Sequence, residues 1–282
     1  MKSMLVLPWS MEELSVLDAA AALARSFGAR VVGAEPPPVR SVALEWAEVG
    51  MAAPVGVPFV SDDEEVKRLE TLRAAFFARM EEAGIGQAET ADAAHLPSAG
   101  WLGRAGDLPG AVGEAGRMFD MLVLPQPGPL PRMPESIFES ALFDSGRPVL
   151  IVPPARAASI GRRIAIAWNC STESARCTAL AMQLLEKAEA VEVLSVEGAT
   201  VPGPSAEELA ASLRLHGLPV TARHVDPGNR SLGAAVADEA RAWGADLIVK
   251  GAYTQSRLRQ LIFGGVTRHL ITASPVPVLF AH

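Results

Sequence analysis

The chain repeats itself, and the repeat restricts its fold more than any other feature. Leu5-Val-Leu-Pro-Trp9-Ser10 resembles Ala165-Ile-Ala-Trp168-Asn169, with the two tryptophans 159 residues apart. Phe119-Asp120-Met-Leu-Val-Leu-Pro matches Ala245-Asp246-Leu-Ile-Val-Lys-Gly at an offset of 126. The copies close on Gly146-Arg-Pro148-Val149-Leu150-Ile-Val and on Val276-Pro277-Val278-Leu279-Phe-Ala. The first copy therefore carries roughly 30 extra residues in its first half, a length that a surface loop tolerates. They fall at 36–60, a stretch with Trp46, Met51 and Phe59 that could cover a pocket or an interface.

Within each copy the elements alternate. The second reads as strand 163–168, helix 171–187, strand 190–196, helix 205–216, strand 219–225, helix 230–243, strand 246–250, helix 265–272 and strand 276–281. Ser205 with Glu208, and Ser61 with Glu64, have the spacing of a capping box. The strands are continuous runs of Val, Ile and Leu rather than alternating ones, which suits parallel sheets covered on both faces. The expectation is an α/β chain of two tandem doubly wound, five-stranded parallel sheets. The Pro/Gly/Ala stretch at 153–161 separates them, giving domains 1–154 and 160–282.

Composition removes several classes. Of the 282 residues 49% are apolar, enough for two proper cores. A net charge of −7 argues against nucleic acid as a partner. No stretch has the length of a membrane span. The two cysteines, Cys170 and Cys177, make no disulfide framework, and with no export signal the expected location is the cytoplasm. Neither these nor the histidines, His95, His216, His224, His269 and His282, show metal-ligand spacing. No Walker loop or nucleophile elbow is present, and no residue set supplies both a base and an oriented nucleophile. No catalytic residue is therefore assigned; any turnover would be slow and incidental to binding.

Open parallel sheets bind ligands beyond the carboxyl ends of strands, where the strand order reverses. With the first strand of the second copy central, the loops at that point are Trp168-Asn169-Cys170-Ser171 and the turn from Gly251 to Thr254. Later, Gly264-Gly265-Val266-Thr267 opens a helix. Bare backbone amides and a helix N-terminus there make a place for phosphate. In the first copy the corresponding run is Pro125-Gln-Pro127-Gly-Pro129-Leu-Pro131-Arg-Met-Pro134. Prolines lack the N–H groups a phosphate needs, so that copy reads as having lost the site.

On these residues the chain resembles the universal stress protein family in its tandem form. The pattern responsible is Ala167-Trp168-Asn169-Cys170-Ser171, the strand Asp246 to Gly251, and Gly251-x2-Thr254-x9-Gly264-Gly265-Val266-Thr267. The resemblance implies the strand order 3-2-1-4-5, as in adenine nucleotide alpha hydrolase-like folds. It implies ATP as a regulatory ligand, with Mg only alongside nucleotide. Gly251, Gly264, Gly265, Val266 and Thr267 would meet the phosphates and ribose. Asn169 would lie by the ribose or base, and Val196 would offer backbone to adenine. It also implies pairing of a homodimer through the last strands, Val149–Val152 and Val278–Ala281. The ATP-binding members carry Gly, Ser/Thr and Asp where this chain has Thr254, Gly265 and Asn169.

Each residue has a plainer reading beside the functional one. The glycine pair could serve close packing. Thr254 is costly if its backbone needs a positive φ, and its hydroxyl could instead donate to a phosphate. Asn169 could hold a ribose hydroxyl or cap a turn. Lys250 at the strand's end fits a triphosphate, and equally a lysine that snorkels. A second function class stays open: an interaction module, working by self-association or with a protein partner, in which the loops matter only for folding.

Overall fold

The long runs of branched apolar residues form a central layer of strands, each flanked by helices. The computed structural model describes residues 1–38, 62–104, 106, 110–129, 132–155, 159–252 and 265–282. Most of the 36–60 insertion, and Ser61 of the expected capping box, lie outside these. Two compact units divide the chain, Met1–Arg147 and Pro148–His282.

The first unit contains β1 (Ser3–Val6), α1 (Ser15–Phe27), β2 (Arg30–Glu35), α2 (Asp62–Glu82), β3 (Ser98–Arg104), α3 (Gly110–Gly116), β4 (Met121–Pro125) and α4 (Glu135–Asp144). Its strands run parallel in the order β3-β2-β1-β4. The second contains β5 (Val149–Val152), β6 (Arg163–Ala167), α5 (Thr172–Leu180), α6 (Met182–Leu185), β7 (Ala190–Val196), α7 (Ala206–Arg214), β8 (Val220–Val225), α8 (Leu232–Trp243), β9 (Leu247–Gly251), α9 (Gly265–Ala273) and β10 (Val278–Ala281). Strands β8-β7-β6-β9-β10 are parallel neighbours, the 3-2-1-4-5 order of a doubly wound sheet. Strand β5, which closes the first sequence repeat, lies in the second unit. It runs antiparallel to β10, with Leu150 opposite Leu279.

Burial explains the strands. Ile164, Ala165, Ile166 and Ala167 are all buried, as are Leu247, Ile248 and Val249. A strand covered on both faces has no polar face to alternate with. Each such Leu or Ile contributes about 1.5–3 kcal/mol on burial. The helix expected over 171–187 is interrupted at Ala181, whose amide is shared between the carbonyls of Cys177 (2.9 Å) and Thr178 (3.2 Å). That tightening separates α5 from α6. Ser205 and Glu208 form the expected capping box at the start of α7.

Aspartates fix the register in both units. Asp120 Oδ2 accepts the amides of Lys2 (2.5 Å) and Ser3 (3.1 Å). Asp246 accepts those of Arg162 (3.1 Å) and Arg163 (3.0 Å). Met4 pairs with Met121, and Ile164 with Leu247. The first strands are thus related by 160 positions rather than 159, and Asn169 answers to Trp9. The two tryptophans are one place out of step.

A partly exposed ion network anchored on buried Glu192 ties β7, β8 and α8 together. Arg223 donates to both carboxylate oxygens of buried Glu192, each at 2.9 Å, and to Glu239 at 2.6 Å. Arg230 reaches the other oxygen of Glu239 at 2.9 Å. Among the described residues no helix is long and apolar enough to cross a membrane.

Candidate functional site

The carboxyl end of β6 leads into a tight turn. Trp168 continues the ladder by donating its amide to Leu194 O (2.9 Å), and its indole, only 4% exposed, donates to Pro204 O (2.8 Å). Asn169 O accepts Val201 N (3.0 Å) and Asn169 Oδ1 accepts the Ser171 hydroxyl (2.8 Å). Ser171 in turn caps α5 by accepting Ser174 N (3.2 Å). Asn169 thus acts here as a turn residue that braces the cap. Cys170 adopts φ 66°, a left-handed conformation that costs a non-glycine residue about 1–2 kcal/mol. The β7–α7 loop packs onto it: a Cβ on Gly203 would lie 2.5 Å from Cys170 O.

Val196 ends β7 with its side chain buried and its carbonyl accepting Ala199 N (3.1 Å). Lys250 is 5% exposed. Its amine donates to Gly251 O at 2.7 Å. The head is enclosed beneath α5 rather than snorkelling to water. Burial pushes its pKa down to about 8, while the thiol of Cys177 and the carboxylate of Glu173 pull the other way. Gly251 pairs with Ala281 and lies against the first turn of α5. A Cβ there would overlap the Glu173–Ser174 peptide, so glycine is required for this close approach.

Gly265, Val266 and Thr267 form the first turn of α9. Gly265 is exposed with open space around its Cα, and the other two are half-buried. First-turn amides have no partner within their own helix. Thr254 and Gly264 lie outside the described residues. The structure places Asn169 in the turn before α5, and Gly251 and Lys250 against α5 itself.

One residue at this point carries no signal that marks it out. Glu173 looks like an ordinary acidic residue in a helix's first turn, where it complements the dipole. In the structure its Oε1 accepts the Thr172 hydroxyl (3.1 Å), while its Oε2 is buried with no hydrogen-bond partner. It stands beside the Gly251 turn.

In the first unit, side chains occupy the corresponding loops. Arg132 Nε donates to buried Glu13 at 3.1 Å. Its Nη2 donates to Gln126 O (2.8 Å) and Oε1 (3.2 Å). Glu13 Oε2, like that of Glu173, is buried without a partner. Burial raises the Glu13 carboxyl above its ordinary pKa, against the hydrogen bond and charge of Arg132.

The sequence model of the universal stress protein family matches residues 162–282. The second unit is a universal stress protein domain. The match begins immediately before β6 and takes in the parallel strands β6 to β10. No curated protein matches the chain. Among solved structures, a universal stress protein from Archaeoglobus fulgidus DSM 4304 is similar over 99% of this chain and 95% of its own, at 18% identity and a TM-score of 0.67. A candidate universal stress protein from Pseudomonas aeruginosa UCBPP-PA14 is similar over 100% and 93%, at 15% identity and 0.52. The cytoplasmic domain of a prokaryotic cation chloride cotransporter is similar over 99% and 94%, at 15% and 0.51. At such identities the structural likeness speaks to the fold, which a universal stress protein shares with the cytoplasmic domain of a transporter.

Proposed function

We propose that the chain is a cytoplasmic stress-response protein whose universal stress protein domain takes an adenine nucleotide as a regulatory ligand. The observation that carries this reading is the exposed start of α9. Gly265 leaves the first-turn amides approachable, in the position where the family resemblance puts phosphate. Binding would order the 251–267 segment and change a surface that a partner reads. Asn169 and the Val196 backbone would hold the ribose and base end.

Glu173 modifies the reading. The carboxylate of Glu173, a residue of the α5 turn whose backbone packs on Gly251, opposes a highly charged phosphate tail, so the expected affinity order without Mg is AMP over ADP over ATP. Mg, entering only with nucleotide, would narrow the differences. Isothermal titration of the full chain with the three nucleotides tests this. No heat at millimolar concentration of any of them would end the nucleotide reading.

The second reading is an interaction module that needs no nucleotide. It draws on Gly251 and Lys250, whose positions helix–strand packing and burial already account for. Because β5 pairs with β10 in one chain, a homodimer through these strands would require them to exchange between chains. We expect light scattering to give the mass of one chain; the mass of two would favour last-strand pairing.

A further inference from the structure

Lys250, near the end of β9, has its side chain enclosed. Its ammonium carries three N–H groups and, among the described residues, finds one acceptor, Gly251 O at 2.7 Å. The strands on either side bring no ionisable side chain to it. Phe280 lies opposite Lys250, Ala281 opposite Gly251 and Ile166 opposite Val249, all of them buried. His282, beyond β10, donates to Ala252 O at 3.1 Å. From α5 come the buried thiol of Cys177 and the carboxylate of Glu173. A charged head with unmet donors is expensive in such a place, and a neutral amine is much less so.

The element that covers this head is weakly held. Helix α5 packs on β9 and β10. Its buried residues are Ser174, Cys177 and Thr178, none of them a large apolar side chain. It is nine residues long and ends where Ala181 shares its amide between two carbonyls. Helix α8, by contrast, buries Ala235, Val236, Ala237 and Ala240. Segments with little apolar burial open locally before the whole fold does. The first turn of α5 meets the lysine at one residue. Gly251 gives its carbonyl to Lys250, and its Cα lies against the Glu173–Ser174 peptide.

We propose that the charge of Lys250 sets whether α5 stays closed on β9: the ammonium favours an open α5, which admits water to it, and the neutral amine favours the closed one. Desolvation lowers the lysine from 10.5 to about 8 in the closed form, against the pull of Cys177 and Glu173, and opening restores the ordinary value. Between these two values the open form keeps a proton that the closed form has shed, so opening falls as pH rises. Ser171 caps α5 and Asn169 braces that cap, so opening also loosens the turn beyond β6. The helix is a latch that tightens on alkalinisation, with or without a nucleotide at that turn.

Pulsed hydrogen exchange of the full chain tests this, read by mass spectrometry from pH 7 to 9 with the intrinsic rate divided out. The amides of α5 should be less protected than those of α8 at every pH. In Cys177→Ala, which removes the opposing thiol, opening of α5 should fall about tenfold over this range, and in the unsubstituted chain about fivefold. Lys250→Met should flatten the change. Glu173→Gln removes a charge that favours the ammonium, so the midpoint should move to lower pH. Protection of α5 equal to that of α8 overturns the proposal, because the helix then opens only with the whole fold. So does an opening that does not change with pH, a change that survives Lys250→Met, or a midpoint that Glu173→Gln leaves in place.

Discussion

A side-chain carbon on Gly251 would sit 2.6 Å from the carbonyl oxygen of Glu173, and closer still to the peptide that follows it. The end of β9 and the start of α5 touch through backbone alone. Gly251→Ala must push the helix away, at a cost of about 1–3 kcal/mol. Gly265→Ala, with nothing near its Cα, should be neutral or stabilise by up to about 1 kcal/mol. Chemical denaturation of both variants checks the contrast. Equal, small effects would remove the packing role of Gly251.

Lys250 and Cys177 make stability depend on pH in the alkaline range. The lysine falls from 10.5 to about 8 on folding, and the thiol rises from 9.0 to about 12. Between pH 8 and 9 the unfolded chain keeps a lysine proton that the folded one has lost, so stability rises with pH. From 9 to 10.5 the thiol opposes it, because the folded chain now retains a proton that the unfolded one releases. Above 10.5 only the thiol acts, and stability falls towards pH 12. Lys250→Met should abolish the rise and stabilise the chain at pH 7 by up to about 3 kcal/mol. Melting temperatures across this range read it directly.

Breaking the Arg223 network from one side leaves a buried charge. Arg223→Met strands Glu192 and should cost about 3–5 kcal/mol. Replacing both, as Glu192→Leu with Arg223→Leu, should restore most of it. A double variant no more stable than Arg223→Met would show that the lost packing, not the stranded carboxylate, sets the cost.

The two thiols differ in access. Cys170 is half-buried, and burial followed by the charge of Glu208 raises its thiol, with Trp168 acting the other way. Cys177 is buried, with its sulfur 3.6 Å from Leu279 O. A chromogenic disulfide reagent at pH 8 should titrate one thiol slowly, and the second only after denaturant is added. Cys170→Ser should remove the first.

The strands of the second unit are legible in the sequence because burial on both faces leaves an unbroken apolar run, as in Ile164 to Ala167. Asp120 and Asp246 align without error because each performs the same bond at the head of a strand. Trp9 and Trp168 mislead by one place: chemical likeness outweighs register when a conspicuous residue happens to lie nearby. The site is less legible. Whether Lys250 reaches water depends on Cys177 and Glu173 overhead, neither of which is near it in sequence. Glu13 and Glu173 look like helix-start acids until their second oxygens prove to be enclosed. The composition of β5 says that it is buried, and nothing about which strand it joins.

That last point bears on how the protein can be divided. A fragment that starts at the linker near residue 160 keeps every residue of the family match, yet exposes one apolar flank of β10 along its whole length. Such a half-molecule should be sticky, and one starting at Pro148 should behave better. The border between the two sequence repeats and the border between the two compact units therefore fall on either side of β5.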